Sequence, residues 1–339
     1  MSRHKLDSSQ FAPDVIPYLL VTLCERVAAF GIAPERLYAG LGLDVQALRA
    51  GALVSNRQAW RMIRRALQLT ARADLGLEIG LGQGLASFGL LGQAFVTAAT
   101  VGEAVQLGGR YYPAGGALVD IELVPSASGA MLEVRPRLRD AQVAMFLIEE
   151  LLASVLELFR VELGEPVVLQ SLELAYPAPD HLHRYRELFG CEPRFGSRRN
   201  VLVIAPGWLD RPMPRHDAAL SAQLCAQLER HAQLEALGTV AAVEQLLLRP
   251  GQQRLSVEQL ARALELSPRT LRRRLSEAGA SFRGIRDRVR AQAARDLLEN
   301  AGVTVAEASR RLGFSDARAF RRACKRWLGQ APGALRQAR

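Results

Sequence analysis

Lysine is nearly absent from this chain of 339 residues: Lys5 and Lys325 are its two lysines among 44 basic residues. Arginine is therefore a background bias, and a single arginine carries little by itself. Cysteine is scarce too. Cys24, Cys191, Cys225 and Cys324 lie far apart with no C-x-x-C pair, which argues against a disulfide scaffold and a cysteine-built zinc site. The opening MSRHKLDSSQFAP has no apolar core of a signal peptide. The longest apolar run, Val143 to Leu156, is broken by Glu149 and Glu150. It is too short to span a bilayer and reads as a buried amphipathic helix. A G-x-S-x-G elbow, a P-loop and a dinucleotide fingerprint are all missing, as is low complexity.

What is present is a lopsided charge. Residues 254–339 carry 20 basic and 8 acidic residues, a net of +12, whereas the remaining 24 basic and 26 acidic residues leave the rest at −2. A basic excess confined to one end reads as a nucleic-acid footprint. General arginine richness does not explain why acids are scarce only there.

Two patterns repeat within that end. In SVEQLARALELSPRTLRRRL (256–275), Ser256 and Gln259 make a capping-box start. Val257, Leu260, Ala261 and Leu264 follow at helical spacing, and Leu266 closes a turn. Ser267 then caps a second helix with Pro268 at its first position. Leu271 and Leu275 mark its buried stripe, leaving Arg269, Arg272 and Arg273 outward. In TVAEASRRLGFSDARAFRRACKRW (304–327), Thr304 and Glu307 read as a capping box, with Val305, Ala308 and Leu312 as the core stripe. Gly313 supplies the turn, Phe314 packs beneath it and Ser315 is the expected cap. Phe320, Ala323 and Trp327 face inward, and Arg318, Arg321 and Arg322 face outward beside Ala317. These are two helix-turn-helix units, which set side chains against base edges in a major groove. Between them, Ile285, Val289, Ala293 and Leu297 predict one long helix over 282–298 that sets the distance between the heads.

The segment ARDLLENAGVTVAEASRRLGFSDARAFRRACKRWLGQAPGALR (294–336) resembles the AraC/XylS family of bacterial transcription regulators. The match runs through the GFSD turn, the F-x-R-A core, K-R-W-x-G and the final P-x-x-x-R. Cys324 departs from a usual phenylalanine, which implies a looser local core, and Arg318 from a small polar residue, which implies an added contact. The resemblance implies that the two second helices of one chain enter successive major grooves. It assigns DNA contact to Arg269, Arg272, Arg273, Ala317, Arg318, Arg321 and Arg322, with base reading and phosphate contact both open for each arginine.

The remainder reads as an α+β domain: helices over 11–38, 58–69, 143–159 and 183–190, Gly-rich turns over 81–95, a hairpin turning at 125–129, and strands near 165–179 and 200–206. FGLLGQAFVTAATVGEAVQLGGRYY, ELFGCEPRFG and PGWLDRPMPRHDAAL resemble the arabinose-binding-type sensor domain of the ornithine-utilisation-regulator-like subgroup. His181 and His183 form an H-x-H, with a solvated loop favoured over metal ligation because no third ligand stands near. Of Glu149 and Glu150, either can contact a cationic ligand, with one expected on the exposed face. No aromatic cage or acidic cluster selects a sugar, an amino acid or a lipid. Alkylation-repair enzymes that carry such DNA-binding modules hold zinc through four cysteines, whereas only Cys24, Cys191 and Cys225 precede the DNA-binding domain here, and they are scattered.

The expected organisation is a ligand-sensing domain over 1–205, a linker and dimerisation helix over 206–234, and an all-α double helix-turn-helix domain over 235–339. Leu220, Leu224, Leu228 and Leu234 mark the dimer helix, and a packing helix within one chain remains the alternative. The expected function is a cytoplasmic, metabolite-responsive, sequence-specific transcriptional activator. Its partners are promoter DNA, RNA polymerase, a small-molecule effector and a second copy. No catalytic residue, cofactor, metal or membrane contact is expected. The alternatives are a constitutive or partner-controlled DNA binder whose N-terminal domain only oligomerises, and, remotely, an enzyme tethered to DNA.

Overall fold

The computed structural model describes residues 18–112, 118–126, 129–138, 140–249, 252, 254–264, 266–300, 303–314 and 316–337. It divides into two compact units, Met1–Ala232 and Gln233–Arg339.

The first unit is built around one apolar helix. Helices α1 (Tyr18–Ala29), α2 (Glu35–Tyr38), α3 (Val45–Arg49) and α4 (Asn56–Thr70) precede α5 (Leu75–Leu81), α6 (Gly89–Thr97) and α7 (Val101–Tyr111). A hairpin of β1 (Val119–Ser126) and β2 (Gly129–Pro136) leads to α8 (Ala141–Leu163). Strand β3 (Leu169–Glu173), α9 (Leu182–Phe189), β4 (Asn200–Ile204) and α10 (Pro206–Leu209) complete it. The four strands form one antiparallel sheet in the order β1-β2-β4-β3. Asp140 starts α8 by accepting from the Gln142 and Val143 amides at 3.1 Å, and Gly164, at φ 74°, ends it. Helix α5 lies directly on α8 because Gly76 and Gly80 have no side chain. A Cβ on Gly80 would stand 2.5 Å from the Glu150 carbonyl oxygen.

One expectation is corrected here. The segment 81–95 is mostly helical: a 3-10 turn over Leu85–Phe88 enters α6. Its glycines serve close packing as much as turning, since a Cβ on Gly92 would lie 2.7 Å from the Leu85 carbonyl oxygen. Residues 11–17 and the hairpin turn at 127–128 lie outside the described residues, and α1 begins at Tyr18.

Helix α11 runs unbroken from Ala218 to Leu248, across the boundary expected between 234 and 235. An interior glycine costs about 1 kcal/mol, too little to end a long helix, so Gly238 lies within it. Leu224 and Leu228 are buried in the first unit, whereas Leu220 and Leu234 are exposed. The four leucines therefore do not share one surface.

The second unit contains α12 (Val257–Ala263), α13 (Pro268–Glu277), α14 (Phe282–Arg295), α15 (Val305–Arg311), α16 (Ala317–Leu328) and α17 (Pro332–Gln337). Val243, Leu247, Leu260, Leu271, Leu275 and Ile285 belong to one core, and Ala294, Leu298, Ala308, Leu312, Phe320 and Cys324 to another. Among the described residues no single helix is long and apolar enough to cross a membrane.

Candidate functional site

The two helix-turn-helix units are held by caps that the sequence announces. Ser256 accepts from the Gln259 amide at 3.2 Å while Gln259 accepts from the Ser256 amide at 2.8 Å, closing the capping box. Ser267 accepts from the Thr270 amide at 3.0 Å, with Pro268 at the first position of α13. In the second unit Thr304 accepts from the Glu307 amide at 3.1 Å. The return half of that box is replaced: the Glu307 carboxylate pairs with Arg310 and, at 2.8 Å, with Arg311. Asp316 caps α16, accepting from the Ala319 amide at 2.6 Å, while Ser315 lies outside the described residues. Gly313 turns with φ 81°. Phe314 sits 5.3 Å from Phe320 and 5.8 Å from Trp327, ring to ring, under that turn.

These caps set α13 and α16 in one register. Arg269, Arg272 and Arg273 are the second, fifth and sixth residues of α13. Arg318, Arg321 and Arg322 are the second, fifth and sixth residues of α16. Spacings of three and four put each trio on one face. Arg269, Arg272, Arg318, Arg321 and Arg322 are exposed, while Arg273 and Ala317 are half-buried. Arg272 pairs with Glu258 at 3.1 Å and Arg273 with Glu277 at 2.6 Å, both on the surface. Neighbouring Arg274 turns inward, is nearly buried and meets Glu235 at 2.9 Å. Its spacing from Leu271 and next to Leu275 was the available signal.

Helix α14 corrects the single stripe drawn through Ile285, Val289, Ala293 and Leu297. Its buried residues are Ile285 and Val289 in one core, then Ala294 in the other, which Leu298 joins from the π turn Asp296–Asn300 that follows. Nine residues at about 100° each amount to a half-turn modulo full turns, so the two cores use opposite faces. A strict four-residue spacing drifts about 40° per step and cannot stay on one face.

One basic surface was missed. Arg283, Arg286 and Arg290 of α14 and Arg322 and Arg326 of α16 surround a hollow with one lining acid, Asp287, among the described residues. Arg326 reaches Asp287 at 3.1 Å. Arg286 lies 5.0 Å over Phe282 and Arg290 5.8 Å over Phe314. Burial, and then the neighbouring Arg286, push the Arg290 guanidinium below its usual value. Arginines at 283, 286 and 290 were legible as spacing, but not as a partner for α16.

In the first unit both acids of the apolar helix are buried, which overturns the expectation of an exposed one. Glu149 is 0 % exposed and Glu150 7 %. His181 is buried as well and approaches Glu149 Oε1 through Nε2 at 2.8 Å. Tyr185 donates to the same oxygen, and the Tyr185 and Tyr176 hydroxyls meet at 3.0 Å. The H-x-H is thus neither a metal pair nor a solvated loop: His181 belongs to a buried network and His183 is exposed. No group of three metal-ligating side chains occurs among the described residues.

Glu150 faces different surroundings. It accepts from the Gln83 amide, and burial pushes its carboxyl up to about 7 against that hydrogen bond. It lines a cavity of about 300 Å³ within the first unit, walled by α1, α6, α8, the end of α7, the start of β1 and, through Leu228 and His231, by α11.

Known proteins resemble this chain in sequence. Residues 31–213 match the family described as the arabinose-binding domain of AraC transcription regulator, N-terminal, and residues 260–338 match a helix-turn-helix domain family. The ornithine utilization regulator of Pseudomonas aeruginosa is 30% identical over 339 residues, covering 97% of this chain and 98% of its own. An uncharacterized HTH-type transcriptional regulator of Mycobacterium tuberculosis is 31% identical over 325 residues, covering 93% and 94%. The crystal structure of transcriptional regulator CdpR from Pseudomonas aeruginosa aligns over 94% of this chain and 98% of its own, at 25% identity and a TM-score of 0.48. The chain belongs to the AraC family of DNA-binding transcriptional regulators, with an arabinose-binding-type N-terminal domain ahead of its helix-turn-helix domain.

Proposed function

We propose that the chain is a metabolite-responsive activator whose two arginine-bearing helices read promoter DNA in one chain. The observation that carries this is the shared register: two capped helices display arginines at the same second, fifth and sixth positions. Arginine is the side chain suited to the O6 and N7 of guanine. Arg269, Arg272, Arg318 and Arg321 read bases, with Arg273 and Arg322 at the edge where phosphate contact begins, and Ala317 against a thymine methyl. The basic hollow of α14 and α16 grips phosphate. We divide the chain into a sensor over 1–205, a connection over 206–234 and a reading domain over 235–339.

The N-terminal domain takes a small metabolite, and the ligand acts by binding one arrangement of the regulator more tightly than another. An amino acid or its breakdown product fits the name of the Pseudomonas relative. RNA polymerase and a second copy are the macromolecular partners, in the cytoplasm, and the chain carries no catalysis. The second reading, a sensorless oligomerisation domain, draws on exposed Leu220 of α11, and the cavity speaks for a ligand instead.

The test is binding of Arg272→Ala to its promoter site and to random DNA at one salt concentration. Specific affinity falls by about 1–3 kcal/mol with random binding little changed if Arg272 reads a base. Equal losses on both would make it a phosphate contact. Identical occupancy and geometry on DNA with and without effector would sink the switch.

A further inference from the structure

We propose that the cavity beside Glu150 is the effector site and that it takes an apolar amine: a hydrocarbon body with one protonated nitrogen seated on the Glu150 carboxylate. This rests on the metabolite-responsive reading above and narrows it to a chemical class.

The walls decide the body. Leu20, Phe88, Leu91, Leu118, Leu147 and Leu151 line the hollow, and its size falls at the lower end of the usual range for small-molecule sites, about 300–1,000 Å³. A sugar sealed there would bring a hydroxyl on almost every carbon, and each one left without a partner costs free energy. Three of the wall's polar side chains are already committed, which leaves Tyr18, Ser87, Tyr112 and His231. The Ser154 hydroxyl donates to the Leu151 carbonyl at 3.0 Å, Tyr111 donates to Glu229 at 3.0 Å, and Gln83 donates to Glu150.

The charge decides the head. Glu150 is buried with one neutral amide partner and forms no ion pair among the described residues. A buried carboxylate without a cation is costly, and a ligand ammonium relieves that cost with a charge-assisted hydrogen bond. The wall contains no arginine or lysine, and its one other nitrogen base, His231, is exposed. An intact amino acid would therefore leave its own carboxylate without a cation inside. Glu149, one residue earlier, does not line the cavity, and its Oε1 is held by His181 and Tyr185 instead.

The experiment is thermal unfolding of the full chain with phenethylamine and hexylamine, each compared with its alcohol, and with hexanoate, L-arabinose and L-ornithine. The amines are expected to raise Tm in a concentration-dependent way, as any ligand bound only to the native state does, and the other compounds are not. Glu150→Gln keeps the shape and removes the charge. It should weaken the amines at least about tenfold, because charge-assisted hydrogen bonds are the strong ones. Ser87→Phe adds bulk to the lining at a second position and should abolish the shift as well, so the proposal does not hang on one variant folding. Both variants must melt cooperatively to be read. If the sugar or amino acid shifts Tm while the amines do not, the amine assignment falls and the metabolite-responsive reading stands. If the amines keep their full effect in both variants, the cavity is not the site. If nothing shifts Tm or DNA occupancy, both proposals fall.

Discussion

Arg272 and Arg274 stand two positions apart on α13 and answer to different physics. Arg272 is exposed and shares a surface pair with Glu258. Arg274 is nearly buried against the partly exposed Glu235, and losing its packing and charge-assisted hydrogen bond costs about 1.5–3 kcal/mol. Arg274→Ala should lower the stability of the reading domain by about that amount in chemical denaturation, whereas Arg272→Ala should leave stability nearly unchanged and lower specific DNA affinity. Glu150 gives a second prediction at this scale. Burial raises its pKa from the ordinary 4.5 to about 7, so the native state holds a proton that the unfolded chain has released. Its contribution to stability is therefore full below about pH 4.5 and is lost as pH rises through about 7. Glu150→Gln removes that loss. The variant should match the parent near pH 5 and exceed it by about 2–3 kcal/mol near pH 8, at roughly 1.4 kcal/mol per pKa unit, in paired melts across that range. Sequence spacing could separate Arg274 from Arg272, because it falls on the Leu271 and Leu275 stripe. It could not bury Glu149 and Glu150 together, because no helical period puts adjacent residues on one face; their shared burial comes from α5 pressing close through Gly76 and Gly80.

At the scale of elements, α14 is the part whose pattern misled. The caps of α12, α13 and α15, the positive φ of Gly313 and the inward Phe320 were all legible, because each is set by neighbours within a few residues. The two faces of α14 were not, because they are chosen by two cores far apart in sequence. The arrangement makes α14 a rotational gauge. One extra alanine between Val289 and Ala294 would turn the second core about 100° around the helix relative to the first. Each core keeps its own residues, so the insertion should leave helix content by circular dichroism and random DNA binding largely intact while removing affinity for a two-groove site. Retained specific affinity would mean that the heads are not set by this helix. The arginines at 283, 286 and 290 were readable as a basic face, but their meeting with Arg322 and Arg326 depends on how α16 packs across α14.

For the molecule as a whole, ligand class and DNA preference are separately testable because the cavity belongs to the first unit and the arginine trios to the second. The order of the units was visible from charge alone. The cavity was not, since its wall is gathered from residues between Tyr18 and His231, and no local pattern announces a hollow. The shared register of α13 and α16 has one more consequence. A pair of identical subunits related by a two-fold axis reads a palindrome, which looks the same from either end. Two heads strung in order on one chain impose no such symmetry, and the recognised sequence acquires an arrow. Turning the whole site end for end in a promoter should leave the affinity of the purified protein for that fragment unchanged, yet alter reporter output, because the bound chain then points the other way along the gene.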